Sequence, residues 1–208
     1  MNADVAAPAT EAIAALVAGI ADRGYAVARA ALPLAIIAAL RERALALDGC
    51  GAMTRGGVGR GAARREHADM RGDRIAWLAD RPRDAAETTA FALLEDLRSA
   101  CNRALTLGLF EFESHYALYP PGAGYARHRD RFRDDDARVL SFVLYLNDGW
   151  RPGDEGALRL HLDNGDTLDV APVGGTLVAF LSEAFDHEVL PAKRPRIALT
   201  GWFRRRAS

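Results

Sequence analysis

The sequence contains two His-x-Asp triplets, His67–Asp69 and His128–Asp130. On an extended chain, side chains at i and i+2 leave the same face about 6.5–7 Å apart, so an imidazole and a carboxylate can converge on one metal ion. One triplet alone is a weak signal, because a copy on the surface needs no metal. The first copy lies at the edge of a stretch rich in glycine and arginine, whereas the second follows the turn Tyr119–Gly124, which leads into an ordered segment. We therefore predict metal binding at the second copy.

A third ligand is expected from a distant strand. Among the five histidines, His187 is the best placed because it stands at the start of a predicted strand. Two imidazole nitrogens and one carboxylate on one face of an octahedron leave three positions open, which is the arrangement of non-haem iron(II) oxygenases. The sequence therefore predicts that His128, Asp130 and His187 hold iron(II).

Arg196 opens the last predicted strand, and only the short turn Pro191–Pro195 separates it from the strand of His187. We expect these two strands to pair as a hairpin and to place a cation beside the metal. 2-Oxoglutarate chelates iron through its 2-oxo acid end, and a guanidinium binds the remaining carboxylate bidentately. The alternative is that Arg196 is a solvated cation, as we expect for Arg204–Arg206.

The elements that position these residues change character near residue 110, from helical periodicity before it to strand-like alternation after it. The predicted helices are Glu11–Asp22 with Thr10 as N-cap and Gly24 as C-terminal stop, Leu34–Leu47 after Pro33, and Arg83–Leu107. Between the second and third helices, Gly49–Arg65 reads as a mobile loop. Ile75–Leu78 could form or flank a short strand.

Short segments rich in valine, leucine, phenylalanine and tyrosine predict a β-rich second half. The predicted strands are Tyr25–Arg29, Glu111–Tyr119, Val139–Leu146, Leu158–Leu162, Thr167–Val170, Thr176–Leu181, Glu188–Leu190 and Arg196–Phe203. Asn164-Gly165 predicts a tight hairpin turn. Many short strands with close turns favour a mainly β jelly-roll with helices packed outside it. We expect a single domain over residues 1–208, with helical support in 1–110 and the strand core in 111–204.

Composition limits the partners of the chain. Its 208 residues suit one domain, 50% are apolar and 26% are charged, as in ordinary globular proteins. The net charge of -1 does not favour nucleic acid as a partner. Cys50 and Cys101 have no framework spacing, which favours two reduced thiols and a cytoplasmic location over a disulfide. No apolar run approaches a membrane span, no signal peptide is evident, and the content of alanine and arginine is typical of a high-GC bacterium.

Separated motifs with consistent spacing resemble a known family. They are Met70–Leu78 (MRGDRIAWL), Tyr119–Asp130 (YPPGAGYARHRD), Tyr145–Asn147 (YLN), His187 and Arg196–Trp202 (RIALTGW). Together they resemble the prolyl hydroxylase branch of the 2-oxoglutarate oxygenases, above all the hypoxia-inducible-factor prolyl hydroxylases and their bacterial relatives. The resemblance covers roughly residues 67–204.

The resemblance implies a double-stranded β-helix and the cofactors Fe(II), 2-oxoglutarate and O2, and it allows ascorbate as a further cofactor. It implies that Tyr145 donates its hydroxyl to the far carboxylate of 2-oxoglutarate beside Arg196. It also implies that Tyr119 and Thr200 line the cosubstrate pocket.

For the substrate, the resemblance implies that Arg138 and Trp202 meet a peptide. It further implies that Gly49–Asp73 is a finger loop that folds over the peptide. Arg71 and Asp73 stand at the root of this loop, where their opposite charges can pair with each other or contact the substrate. The loop departs from the family because it has few hydrophobic residues. His115 also departs, since it occupies a position near the cosubstrate where an apolar residue is expected, and we interpret it as a hydrogen-bonded core histidine.

The resulting hypothesis is an Fe(II)- and 2-oxoglutarate-dependent dioxygenase that hydroxylates a prolyl residue in a protein, with succinate and CO2 as coproducts. The resemblance to bacterial relatives suggests elongation factor EF-Tu as a candidate substrate. The oligomeric state is left open by the sequence.

Three alternatives remain at this point. The same chemistry could act on a small molecule such as free proline, although the finger-loop motif favours a protein. A non-redox cupin-like metal protein is disfavoured by Asp130 and Arg196, because such proteins usually show a His-x-His pair and need no cosubstrate arginine. A nucleic-acid demethylase is disfavoured by the near-neutral charge.

Overall fold

The computed structural model describes residues 3–57, 70–130 and 137–206, with side chains from Ala9 onward. Its helices are α1 (Ala3–Arg23), α2 (Leu34–Gly49) and α3 (Ala85–Leu105). Gly24 follows α1 with φ of +77° and stops the helix, as predicted. Asp84 caps α3 by accepting a hydrogen bond from the backbone of Glu87. No helix within these described stretches combines the length and apolarity that a membrane crossing requires.

Seven strands form the larger sheet. They are β1 (Tyr25–Ala28), β2 (Thr54–Arg55), β3 (Arg74–Trp77), β4 (Glu111–Tyr119), β6 (Arg138–Tyr145), β9 (Leu177–Leu181) and β11 (Arg196–Arg204). Their order across the sheet is β1-β9-β6-β11-β4-β3-β2. The central pair, β4 and β11, is in register over its whole length, with Tyr119 opposite Arg196 at one end and Glu111 opposite Arg204 at the other.

Four strands form the smaller sheet, β5 (Tyr125–His128), β7 (Leu158–His161), β8 (Thr167–Val170) and β10 (His187–Val189), in the order β5-β10-β7-β8. The Asn164-Gly165 turn joins β7 to β8, and Gly165 has the positive φ that such a turn requires. All pairs in both sheets are antiparallel, which confirms the predicted mainly β jelly-roll with outer helices.

Alternation along the central strands separates two hydrophobic clusters. In β4, Tyr116 and Leu118 pack with the helices on the outer face of the larger sheet. Their neighbours Ala117 and Tyr119 belong to a second cluster, which lies between the two sheets. Because successive side chains of a strand point to opposite faces, one strand supplies both the helical packing and the inner wall. The inner face is the one that carries the functional residues.

The predicted hairpin between the strands of His187 and Arg196 is wrong. β10 pairs with β5 and β7 in the smaller sheet, whereas β11 pairs with β4 and β6 in the larger one. The backbone N–H of Leu190 donates a hydrogen bond to the carbonyl of Ala157, and the N–H of Lys193 donates one to the carbonyl of Asp154. The connection between β10 and β11 therefore runs beside the segment Asp154–Ala157 and does not fold back as a hairpin. Pro191 and Pro195 supply no amide for a ladder between the two strands.

Other boundaries also differ from the prediction. α1 begins at Ala3, so Thr10 lies inside the helix and is not its N-cap; the alanine-rich start explains the extension, since alanine is the strongest helix former. The predicted loop is shorter at its start, because Gly49 belongs to α2 and Thr54–Arg55 pairs with β3. Residues 58–69, which comprise the rest of that loop and His67 at its edge, lie outside the described residues.

Candidate metal centre

The smaller sheet brings the three predicted metal ligands together. His128 is the last residue of β5, His187 is the first residue of β10, and the two lie directly opposite each other in the strand pairing. Asp130 follows two residues after His128. One ligand atom from each of the three side chains lies within 4.8 Å of the others, the one such group of histidine, cysteine and acidic residues in the described parts of the chain.

Hydrogen bonds orient the imidazoles toward each other. Nδ1 of His128 lies 2.8 Å from the carbonyl of Ala126, and Nδ1 of His187 lies 3.3 Å from the carbonyl of Phe185. A ring that donates from Nδ1 keeps Nε2 as a metal-binding lone pair. The two Nε2 atoms face Asp130, at 3.6 Å for His128 and 3.5 Å for His187.

The carboxylate is held from the larger sheet. The Ser141 hydroxyl donates to Oδ2 of Asp130 at 2.7 Å, and Ser182 lies 2.8 Å from the Ser141 oxygen. All three side chains are buried. Ser141 and Ser182 therefore fix one carboxylate oxygen, and they are supporting residues that the sequence analysis missed. The missed signal is that Ser141 shares the inward-facing alternation of Tyr145.

The protonation states suit a cation. Burial raises the pKa of Asp130, but the interactions with His187, His128 and Ser141 outweigh it and hold that pKa below its ordinary value. Burial and the neighbouring His128 lower the pKa of His187 to about 4, against the opposing effect of Asp130. At neutral pH the site thus offers an anionic carboxylate and a neutral imidazole at His187. This donor set fits Fe(II), because borderline imidazole and hard carboxylate ligands on one face are what non-haem iron sites use.

A second polar centre surrounds Arg196, whose side chain is buried. Its Nε donates to the carbonyl of Gly156 at 3.0 Å, and Nη2 donates to the Tyr145 hydroxyl at 3.4 Å. The guanidinium carbon lies 5.0 Å from the Tyr145 ring centre and 5.2 Å from that of Tyr119. None of the ion pairs among the described residues involves Arg196. A buried cation without an acidic partner is costly, so this centre fits an anionic ligand.

One cavity of about 330 Å³ connects the two centres. The triad and Arg196 both line it, together with apolar residues that include Val143, Leu158 and Phe180. Thr200 also lines it and donates its hydroxyl to the carbonyl of Phe142 at 2.7 Å. The cavity therefore joins a site for a cation to a site for an anion.

The cavity also reaches the predicted substrate contacts. The guanidinium of Arg138 stacks 3.5 Å from the Trp202 ring centre and forms an ion pair with Glu113 at 3.0 Å. Trp77, which the sequence analysis did not assign to the site, also lines the cavity and is 47% exposed. Its signal in the sequence was its place in the MRGDRIAWL motif, in alternation with Ile75.

Arg71 and Asp73 pair with each other, as their opposite charges allow. Two hydrogen bonds of 2.6 and 2.9 Å join the guanidinium to the carboxylate, and Asp73 is only 1% exposed. Arg71 also lies 5.0 Å from the Tyr125 ring centre and donates to the carbonyl of Gly57 at 3.4 Å. Arg71 therefore links Gly57 to Asp73, and all three residues line the cavity; a contact of Arg71 or Asp73 with substrate stays a prediction.

His115 is not the hydrogen-bonded core histidine that the sequence analysis expected. It is buried, but neither ring nitrogen has a hydrogen-bond partner among the described residues. The ring lies between Trp77 and Trp202, at centroid distances of 4.7 and 5.5 Å, and it lines the cavity. The core interpretation fails because the rings of Trp77 and Trp202 flank the imidazole, and no described residue forms a hydrogen bond with either of its nitrogens.

An ion-pair cluster beside the metal ligands was also missed. The Asp186 carboxylate accepts from Arg127 at 2.8 Å and from Arg129 at 2.9 Å. The two arginines flank His128, and Asp186 precedes His187, so the cluster joins the two ligand-bearing segments. No spacing in the sequence indicates this contact, because it depends on the pairing of β5 with β10.

Comparison with known proteins finds relatives with a similar sequence and fold. The model of the 2OG-Fe(II) oxygenase superfamily matches residues 114–204. The crystal structure of a Pseudomonas putida prolyl-4-hydroxylase is 46% identical, with 93% of this chain and 99% of that chain covered and a TM-score of 0.85. A Trichoplax adhaerens prolyl hydroxylase, solved with a hypoxia inducible factor oxygen degradation domain peptide fragment, is 26% identical, with 94% and 90% covered and a TM-score of 0.84.

Among curated proteins, Egl nine homolog 1 from Homo sapiens is 31% identical over 145 residues, which are 65% of this chain and 33% of that protein. The match thus spans about a third of the length of that relative. The similarity to the Pseudomonas putida enzyme covers nearly the whole of both chains. The chain therefore belongs to the 2OG-Fe(II) oxygenase superfamily, in its prolyl 4-hydroxylase group.

Proposed function

We propose that this protein is an Fe(II)- and 2-oxoglutarate-dependent dioxygenase that hydroxylates a prolyl residue of a polypeptide and releases succinate and CO2. The observation that carries the proposal is that one cavity is lined both by a set of metal ligands and by a buried cation that can bind an anion. His128, Asp130 and His187 offer three ligands for a cation, and Arg196 is a buried cation that has no acidic partner among the described residues. A 2-oxo diacid complements both, since one end chelates a metal and the other is a carboxylate.

Different residues bind the metal and the two ends of the cosubstrate. His128, Asp130 and His187 would hold Fe(II), which together with 2-oxoglutarate and O2 supplies the oxidation of an unactivated C–H bond. Arg196 binds the far carboxylate of the cosubstrate, and the Tyr145 hydroxyl donates to the same carboxylate. The pocket role of Tyr119 is to cover one face of the guanidinium, from which it lies 5.2 Å to the ring centre.

Apolar side chains in the cavity lining help to exclude water. Val143, Leu158 and Phe180 contribute such side chains. Exclusion of water strengthens the electrostatic contacts inside and protects reactive species from side reactions. Thr200 adds a hydroxyl whose proton is already donated to Phe142, so its oxygen can accept from a ligand.

A polypeptide substrate is supported by the cavity rim and by the relatives. Trp77, Trp202 and Arg138 present aromatic faces and a cation beside the cavity, surfaces that suit a proline ring and a peptide backbone. The Trichoplax adhaerens relative was solved with a peptide fragment. We propose that the rim holds the substrate, with Arg71 and Asp73 fixing the loop above it, and we propose elongation factor EF-Tu as the candidate polypeptide.

The test is mass spectrometry of a bacterial lysate incubated with the iron-loaded enzyme and 2-oxoglutarate. We expect one added oxygen on a proline of one protein, with one succinate formed for each event. His187→Ala is the matched control, because it removes a ligand and leaves the rim intact. If oxygen were added only to free proline, the substrate would be a small molecule and not a polypeptide. Absence of succinate with any substrate would overturn the proposal.

A further inference from the structure

Three unpartnered polar atoms cluster at one place in the cavity wall. They are the two ring nitrogens of His115 and Nε1 of Trp202, all buried and without a hydrogen-bond partner among the described residues. The two rings are neighbours, with centroids 5.5 Å apart, and both line the cavity. A buried polar group without a partner destabilises a protein. The cluster therefore points to a partner that belongs to the ligand.

The His115 imidazole is neutral. Burial and the positive charges of Arg71 and Arg138 lower its pKa to about 3, against a smaller opposite effect of Asp130. A neutral imidazole has one N–H donor and one acceptor nitrogen. A half-turn of the ring exchanges its carbon and nitrogen positions without changing its outline, so a histidine that lines a cavity can present a nitrogen to it. The Trp202 indole adds a second N–H donor.

Strand register places this cluster at the metal end of the cavity. On β11, Arg196 lies opposite Tyr119, whereas Thr200 lies opposite His115. Trp202 lies opposite Ser141, the residue whose hydroxyl holds Asp130. Each step of two residues advances about 6.5–7 Å along a strand, so His115 and Trp202 are well separated from the backbone of Arg196. Trp202 lies in the same cross-strand row as Ser141, which supports the metal ligand Asp130, and His115 lies in the next row.

We propose that His115, with the Trp202 N–H beside it, hydrogen-bonds the 2-oxo acid end of bound 2-oxoglutarate. This inference rests on the proposed use of 2-oxoglutarate and is independent of the prolyl substrate. Arg196 and His115 then recognise opposite ends of one molecule. His115 is a cosubstrate-binding residue in this assignment, in a position where an apolar side chain was expected.

The experiment measures binding without turnover, in protein loaded with Zn(II). Dissociation constants are determined by calorimetry for 2-oxoglutarate and for 2-oxopentanoate, which keeps the 2-oxo acid end and lacks the far carboxylate. His115→Leu should weaken both ligands by the same factor, roughly tenfold or more, the effect of losing one hydrogen bond to a charged group. His115→Gln should recover part of the affinity, since its amide keeps a donor and an acceptor.

Arg196→Met is the matched control at the other end of the cavity. It should weaken 2-oxoglutarate and leave 2-oxopentanoate nearly unchanged. Unaltered affinity of His115→Leu for both ligands would overturn the inference, as would a loss confined to 2-oxoglutarate, which would place His115 at the far carboxylate. If the wild-type protein itself does not bind 2-oxoglutarate, the proposed function is wrong, and the role of His115 falls with it.

Two further measurements guard against a purely structural role. Removing two unpartnered nitrogens should not lower the melting temperature of the ligand-free His115→Leu protein; a lower melting temperature with unchanged affinity would contradict us. In the wild-type protein, nitrogen NMR of labelled histidine follows the ring of His115 directly. Addition of 2-oxoglutarate should shift one of its nitrogen resonances, and the absence of any shift would refute the contact even if no variant folds.

Discussion

Replacing Arg196 by methionine tests the centre on which the proposed function depends most. Methionine keeps an unbranched side chain of similar length and removes the charge. The guanidinium has five N–H donors, and among the described residues it forms two hydrogen bonds, to the carbonyl of Gly156 and to the Tyr145 hydroxyl. Donors therefore remain for a carboxylate, and no described acidic side chain competes for them.

The expected magnitude follows from that geometry. A hydrogen bond to a charged group contributes about 1.5–3 kcal/mol, which corresponds to a rise of roughly ten- to a hundredfold in the dissociation constant of 2-oxoglutarate. Tyr145→Phe removes one neutral donor worth about 0.5–1.5 kcal/mol, so its effect should be about two- to tenfold. Stability should respond differently, because removing an unpaired buried cation relieves desolvation in the ligand-free state.

The assay is calorimetric titration of 2-oxoglutarate into Zn(II)-loaded protein, combined with thermal unfolding of the ligand-free protein. We expect Arg196→Met to bind 2-oxoglutarate at least tenfold more weakly than the wild type. Any decrease in its melting temperature should be no larger than the loss of the hydrogen bond to Gly156 explains. Unchanged affinity would refute the assignment of Arg196 to the far carboxylate. An equal loss in Tyr145→Phe and Arg196→Met would show that the hydroxyl, and not the charge, carries the recognition.

Three further predictions concern the metal, its support and the loop. His187→Ala should abolish iron binding and 2-oxoglutarate turnover, whereas His67→Ala should keep both; metal analysis of the purified variants decides between the two triplets. Ser141→Ala removes the hydroxyl that holds Asp130 and should weaken metal affinity about ten- to a hundredfold in a chelator competition, while an unchanged affinity would make that contact incidental. Arg71→Ala should strongly reduce hydroxylation of the polypeptide and leave slow formation of succinate without substrate, so both products are quantified in parallel; if neither changes, a small-molecule substrate gains support.

Local sequence patterns were sufficient for most elements. The bounds of β4 and β8 match their predicted ranges, because alternating apolar residues and flanking turns are properties of contiguous residues. β5 was missed for the same reason, since Tyr-Ala-Arg-His has no apolar alternation. That strand forms because β10 pairs with it, and a pairing partner is not visible in the strand's own sequence.

The chemistry of the metal site was also readable from the sequence. A histidine and an aspartate two residues apart share a face, and His187 was the remaining histidine at a strand start, so residue types and spacing selected the three side chains that meet within 4.8 Å. The choice between the two triplets rested on context along the chain, because each triplet by itself predicts the same convergence.

Only the tertiary structure decided how the two ends of the cavity relate. The sequence suggested that Arg196 and His187 share a hairpin, but the chain crosses from the smaller sheet to the larger one between them, and both residues line the same cavity. His115 became a candidate ligand contact only when Trp77 and Trp202 were seen to enclose it without offering a hydrogen bond. Residue identity and spacing determine which chemistry is available, because both are properties of residues close together in the sequence. The position of a charge and the absence of a partner are set by contacts between distant strands, so they emerge only from the folded arrangement.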